Sequence, residues 1–395
     1  MSGKLRVGIV YGGRSGEHQV SLATAFSVLS NIDYEKYELF PFYILQNGEW
    51  RAGHKLTGPP ASQQQLLLED SRHVSRTQAV GQLLNGASGA VGKAAASELS
   101  ASSEASSMQE HEHHASLTSE WPSEMDVMFP LLHGTFGEDG TIQGLFEMAG
   151  LPYVGAGVLA SATGMDKIIM KKLFAQEGLP QCIYRGFTRR DWEKDQSYYI
   201  LEIETALGYP CFVKPANLGS SVGITKAHNR EQLLEAVQLA FRYDRKVIVE
   251  ELVEGREIEV SVLGNDEPIA SLPGEVVSSN EFYDYKAKYV DGKSAMIIPA
   301  DITPEQTEQV RSLALRAFRA IDGAGLCRAD FFLRESDGAF LINEVNTMPG
   351  FTPYSMYPLL WKESGKSYRE LLDDLIRLAI ERFEEKQKLN YGFEA

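Results

Sequence analysis

CRADFFLRESDGAFLINEVN, Cys327 to Asn346, reads as two strands around a polar turn spanning Arg334 to Gly338. With Leu333 opposite Ala339, the even-numbered residues of both strands share one face, because side chains alternate with period two. Arg328, Asp330, Glu344 and Asn346 then gather at one end of that face, and Phe332, Phe340 and Ile342 pack nearer the turn. Two carboxylates and an amide oxygen are hard donors suited to Mg²⁺, an ion that keeps waters and bridges phosphates. The alternative is a structural ion-pair cluster around Arg328, but three acceptors beside one cation on a half-buried face are costly without a metal.

Downstream, Asn346-Thr347-Met348-Pro349-Gly350 opens a loop that reaches Ser355. Its backbone N–H groups, beside Arg328, are suited to a carboxylate or a developing oxyanion. Upstream, VKPANLGSSVGI (Val213–Ile224) follows an apolar strand and offers the flexible, N–H-rich cover that closes over phosphates. Lys214 at the strand end incurs desolvation unless it faces an anion. This is not a Walker A loop, since no G-x-x-x-x-G-K-[ST] occurs. Lys167 opens a helix where a cation is mildly unfavourable, so either a phosphate oxygen explains it or it is a surface lysine on a helix that also carries Lys171 and Lys172. Glu250 ends the strand Val247–Val249 and Glu257 follows on the next; such acceptors suit an adenine amino group and ribose hydroxyls. The first glycine turn, GGRSGEHQVS (Gly12–Ser21), sits where a dinucleotide fold places its pyrophosphate loop, but Glu17 would repel a phosphate and hold an ammonium group. Complementing the helix dipole is the other reading of Glu17.

The remaining chain supplies the scaffold. Leu5–Tyr11 reads as a strand, Val20–Leu29 as a helix, Val127–Leu132 as a strand and Thr141–Gly150 as a helix, together a parallel α/β layer. Residues 85–120 are Ala/Ser/Glu/His-rich with little to bury, and read as a surface insert. Ser161–Leu179 reads as one amphipathic helix, Pro210–Lys214 and Lys246–Glu250 as strands, Arg230–Phe241 as a helix, Glu257–Leu263 as a strand, and Pro304–Ile321 and the stretch from Tyr368 as helices.

At 395 residues and 43 % hydrophobic content, two or three domains are expected. The net charge of −16 disfavours nucleic acid and anionic membrane as partners. Cys182, Cys211 and Cys327 are too few and too scattered for a disulfide framework and read as reduced core residues. The short apolar run at the N-terminus fits neither a signal peptide nor a membrane span, so a cytoplasmic address is expected.

Taken in order and spacing, GGRSGEHQVS, LLHGTFGEDGTIQG, PYVGAG, MDK, VKPANLGSSVGI, VEE, FYDYKAKY, RADFF and NEVNTMPGFTPYS resemble the D-alanine:D-alanine ligase family of ATP-grasp enzymes across nearly the whole chain. The resemblance implies an α/β and α+β chain of three domains: a Rossmann-like parallel-sheet domain over 1–155, a central ATP-grasp subdomain over 156–251 and a C-terminal one over 252–395, with ATP between the last two. It implies that Lys167, Lys214, Ser221, Glu250, Glu251, Val253 and Glu257 bind ATP. By the same token Asp330, Glu344 and Asn346 would hold two Mg²⁺ ions, with Mn²⁺ as an alternative. Glu17, Ser220, Tyr289 and Arg328 would be catalytic, and His133, Gly350, Ser355 and Met356 would contact D-alanine. Glu251 stands where relatives often place a lysine, and Met356 where a leucine is frequent. Another ATP-grasp carboxylate–amine ligase, a D-alanine:D-lactate ligase, a non-catalytic nucleotide-binding module and a homodimer remain as alternatives.

Overall fold

The computed structural model describes residues 3–69, 73–74, 125–219, 222–277 and 295–390. The 85–120 insert, Ser220, Ser221 and Tyr289 lie outside the described residues.

Strands β1 (Leu5–Gly12), β2 (Tyr37–Ile44), β3 (Trp50–Ala52), β4 (His73–Val74) and β5 (Val127–Leu131) form the first sheet, in the order β4-β3-β2-β1-β5. The centre is parallel, β1 pairing with β2 and β5, and β3 and β4 add an antiparallel edge. Val7, Ile9, Val10 and Tyr11 are fully buried because helices cover both faces of β1. A strand buried on both sides reads as an unbroken apolar run, as this one does. Gly12 (φ 92°) then turns the chain: a Cβ there would lie 2.2 Å from the Ile44 carbonyl oxygen. The turn leads through Glu17 into the helix His18–Asn31.

The second sheet is antiparallel: β6 (Tyr184–Thr188), β7 (Cys211–Pro215), β8 (Thr225–Ala227) and β9 (Lys246–Glu251), in the order β6-β9-β7-β8. The third contains β10 (Gly255–Gly264), β11 (Ile269–Ala270), β12 (Gly274–Val277), β13 (Ala295–Ile297), β14 (Gly325–Arg334) and β15 (Phe340–Asn346). Its order is β13-β12-β10-β14-β15, with β11 paired to β10. The C-terminal helix Tyr368–Gln387 buries Leu371, Leu372, Leu375 and Ile376 in the same core as Ile9, Tyr11 and Phe129 of the first sheet and Phe351 and Tyr357 beyond β15. One apolar mass therefore fixes the Glu17 turn relative to the loop after β15.

Two sequence expectations need correction. Ser161–Leu179 is not one helix: Val158–Met165 and Lys167–Gln176 are separated at Asp166, whose side chain caps the second by accepting from the Ile168 and Ile169 N–H groups. The hairpin register also differs. Leu333 pairs with Phe340 rather than Ala339, so near the turn Phe331 and Leu333 share the buried face with Phe340 and Ile342, and Phe332 faces Leu341 on the other. The register shifts between Asp330 and Phe331, with Asn343 as the extra residue of a β-bulge, and the pairing becomes Asp330–Glu344 and Arg328–Asn346. A bulge restores the parity that a one-residue slip would have destroyed. The expected quartet shares a face because of it. All three cysteines are free and buried, as expected.

Candidate active site

Directly opposed residues in an antiparallel sheet point the same way, so registers across β10, β14 and β15 place Glu259, Asp330 and Glu344 in one row and Ser261, Arg328 and Asn346 in the next. A cleft of about 290 Å³ opens over this face, lined among others by Glu17, Glu138, Lys167, Arg328, Glu344 and Asn346. Gly350, Ser355 and Met356 line it as well.

The Arg328 guanidinium donates to both Asp330 oxygens at 2.7 and 2.8 Å and lies 3.0 Å from Glu259. Lys167 reaches in from the helix N-terminus, 3.2 Å from Glu344, and donates to the Leu218 carbonyl at 3.0 Å. Each carboxylate of the metal candidate set thus already faces a cation. The donors are hard oxygens on one face and fit Mg²⁺, with the Asn346 amide oxygen as the third. Among the described residues no group of three or more His, Cys, Asp or Glu is arranged to hold a metal, so such a site leans on that amide and on ligand oxygens.

The glycine-rich loop reaches the Glu17 turn: a Cβ on Gly219 would sit 3.2 Å from Glu17 Oε2, and one on Gly134 only 2.5 Å from it. Gly134 has φ 72°, so the HGT turn needs glycine for its backbone as well as for space. The next residues form a latch that sequence reading missed. His133 Nδ1 lies 3.0 Å from the Met348 carbonyl oxygen and Nε2 lies 2.9 Å from Thr24 Oγ1. Facing a carbonyl, Nδ1 carries the proton; burial holds the imidazole below its ordinary pKa against the pull of Glu17, so it is neutral. Both ring nitrogens are committed to protein groups, which makes His133 a support for the Met348 loop. Glu138 accepts from the Gly134 N–H at 2.5 Å and from the Met348 N–H. Burial first and Glu17 second push its carboxyl up to about 8. Ser355 Oγ is tied to Thr352 Oγ1 at 2.8 Å and lies where a Cβ on Gly350 would approach to 3.0 Å.

Behind the cleft, Glu250 is buried between two lysines, with Lys214 at 2.5 Å and Lys171 at 3.1 Å. Burial alone would raise this carboxyl, but the two ammonium groups outweigh it and hold it at about 2. Lys171, which the sequence marks only as a neighbour of Lys167 on the same helix, is fully buried. Glu251 folds back to accept from the Ile183 N–H at 2.7 Å, and with Val253 it lines a separate cavity of about 310 Å³ beside Tyr209 and Arg334. Glu257 sits two residues before Glu259 and opposite Phe332, on the same sheet face. Glu259 was itself legible as the next residue of that face; Lys171, one turn after Lys167, was legible in position but not in burial.

A partly parallel sheet followed by two antiparallel sheets, with Lys167, Arg328, Glu344 and Asn346 lining one cleft, has the architecture of the ATP-grasp class of ligases. Residues 6–156 match the family model described as D-ala D-ala ligase N-terminus, and residues 173–377 the one described as D-ala D-ala ligase C-terminus. The chain is 51 % identical over 98 % of its length to the D-alanine–D-alanine ligase of Bacillus cytotoxicus, covering 99 % of it. It is 52 % identical over 99 % of its length to that of Geobacillus thermodenitrificans, covering all of it at 100 %. Among solved structures, the D-alanine-D-alanine ligase from Coxiella burnetii matches at 31 % identity and TM-score 0.75, over 98 % of this chain and 97 % of that one. The VanG D-Ala:D-Ser ligase from Enterococcus faecalis matches at 33 % and 0.76, over 95 % and 100 %. The chain belongs to the D-Ala D-Ala ligase family. Among the described residues no helix is long and apolar enough to cross a membrane.

Proposed function

We propose that this protein joins two molecules of D-alanine to D-alanyl-D-alanine at the expense of ATP, in the cytoplasm, for peptidoglycan precursor synthesis. The observation that carries the reading is the convergence of Glu17, Lys167, Arg328, Glu344 and Asn346 on one cleft. Residues 1–155, 156–251 and 252–395 act as its three units, each built on one of the three sheets.

Glu17 holds the ammonium group of the first D-alanine beside the glycine-rich loop, a charge-assisted contact that orients the carboxylate toward the nucleotide. Lys167 and Lys214 hold the phosphates, Glu250 accepts from the adenine amino group beside the backbone of Glu251 and Val253, and Glu257 accepts from the ribose. One carboxylate oxygen of the first D-alanine attacks the γ-phosphorus, whose bond to ADP breaks, giving an acyl phosphate while ADP stays bound. Asp330, Glu344 and Asn346 would hold two Mg²⁺ ions, which supply charge neutralisation across the phosphates. The neutral amine of the second D-alanine attacks the acyl carbon; Arg328 and the Gly350 N–H receive the oxyanion, and phosphate leaves with the oxygen it took and the proton the nitrogen sheds. The acyl phosphate must be kept from water, and that is the role the family resemblance gives to Ser220, Ser221 and Tyr289. Met356, buried against β12 at the second-substrate end, helps select that substrate.

The test offers ATP and Mg²⁺ with D-alanine, L-alanine, D-serine and D-lactate, singly and in pairs, and identifies products by mass. D-alanyl-D-alanine as the main product is expected. A mixed product formed faster from D-serine or D-lactate, or no turnover of D-alanine, would overturn the assignment.

A further inference from the structure

Lys171 is one of the most completely buried large side chains of the molecule, and the mechanism above gives it nothing to do. It projects from the helix Lys167–Gln176 one turn beyond Lys167, to 3.1 Å from Glu250 Oε1. Its ammonium lies 3.5 Å from Cys182 Sγ and 5.8 Å from the centre of the Tyr184 ring. Glu250 Oε2 meets Lys214 at 2.5 Å, and the three side chains are 0, 3 and 12 % exposed from Lys171 to Lys214.

Without Lys171, Glu250 and Lys214 would form a closed one-to-one pair, and a phosphate could engage Lys214 only by leaving a buried carboxylate uncompensated, which is strongly unfavourable. With Lys171 present the cluster carries one positive charge in excess, set against a chain of net charge −16. Lys214 can then turn to a polyanion while Glu250 keeps a counter-ion, its ionised form and its orientation. Burying an ammonium is itself costly, so a lysine at zero exposure is a poor packing choice where an aliphatic residue would fill the same slot.

We propose that Lys171 is a positioning residue for nucleotide binding: by neutralising Glu250 from behind, it releases Lys214 to engage the phosphates. This rests on the ligase reading above. The link runs from a helix residue through one β9 carboxylate to a β7 lysine, so it acts on ATP and leaves the D-alanine subsites at Glu17 and Arg328 untouched.

Binding of a non-hydrolysable ATP analogue with Mg²⁺, measured by calorimetry, and steady-state kinetics test it in wild type, Lys171→Met, Glu250→Gln and the double variant. Lys171→Met is expected to weaken analogue binding and raise the KM for ATP about tenfold or more, leaving the KM for D-alanine within about twofold, since removing a charge that serves one subsite shifts the affinity of that subsite alone. In the Glu250→Gln background, adding Lys171→Met should change nucleotide affinity by less than about twofold, because the carboxylate through which it acts is gone. That comparison decides the matter even where the single Lys171→Met variant does not fold. A lower melting temperature with unchanged analogue binding, or a further tenfold loss in the double variant, overturns the inference. Wild-type protein that fails to bind the analogue overturns the ligase reading along with it.

Discussion

Replacing Arg328 by alanine tests both what holds the central sheet face together and what the face does. The guanidinium makes two hydrogen bonds to Asp330 and an ion pair to Glu259, and the three side chains are 15, 14 and 9 % exposed. Asp330 and Glu259 are direct register partners, so the deletion leaves two largely buried carboxylates side by side. Breaking a buried pair by removing one partner costs about 3–5 kcal/mol; these groups keep some exposure, which places the loss at about 3 kcal/mol. Separately, loss of an oxyanion donor lowers turnover by about 10²- to 10³-fold. The two effects come apart in Arg328→Ala/Glu259→Gln, which removes one of the repelling charges: stability should recover by about 1–2 kcal/mol while the rate does not. Urea unfolding gives the first quantity and ADP release at saturating ATP and D-alanine the second. An Arg328→Ala enzyme within about threefold of the wild-type kcat, or a double variant that regains turnover, would refute the reasoning.

Three further outcomes are expected. Glu17→Gln should raise the KM for D-alanine with little change in that for ATP, because the Glu17 carboxylate faces an ammonium group; steady-state kinetics in each substrate check it, and an effect confined to ATP would contradict the assignment. Gly134→Ala should lower D-alanine turnover and stability together, since the backbone sits at φ 72° and the new Cβ meets Glu17 Oε2 at 2.5 Å. Unaltered kinetics and melting in Gly134→Ala would show the turn to be indifferent to both. Glu250 is held at about 2, below its ordinary 4.5, so its ionised form contributes stability above 4.5 that is lost as pH falls toward 2. Glu250→Gln should therefore show a shallower acid loss of stability than wild type across that interval, and parallel acid profiles would argue against the buried cluster.

The site face was legible in the hairpin because alternation survives wherever one face is buried, and Arg328, Asp330, Glu344 and Asn346 do share it. Its register was not legible. The one-residue correction comes from a bulge at Asn343, and nothing local in LINEVN distinguishes a bulged strand from a regular one. The break at Asp166 was hidden because apolar residues continue on both sides of it, although an aspartate before Lys167 is a good N-cap. Lys167 and Lys214 could be singled out as charges in unfavourable places and Glu17 as a carboxylate where a dinucleotide fold puts its phosphates, whereas Lys171 and Glu138 gained meaning only from burial. Burial is set by which helix and loop pack behind a strand, and a linear pattern carries that information weakly. The resemblance places His133 beside the substrate, and only the structure shows what holds its ring, with Thr24 on one nitrogen and the Met348 carbonyl on the other.

The proposed chemistry depends on a D-alanine carboxylate attacking the terminal phosphate of ATP. D-alanine labelled with ¹⁸O in its carboxylate, turned over with ATP and Mg²⁺, tests this directly by mass analysis of the phosphate released. One labelled oxygen should be transferred to each phosphate formed with the dipeptide. Unlabelled phosphate accompanying dipeptide formation would contradict the acyl phosphate route.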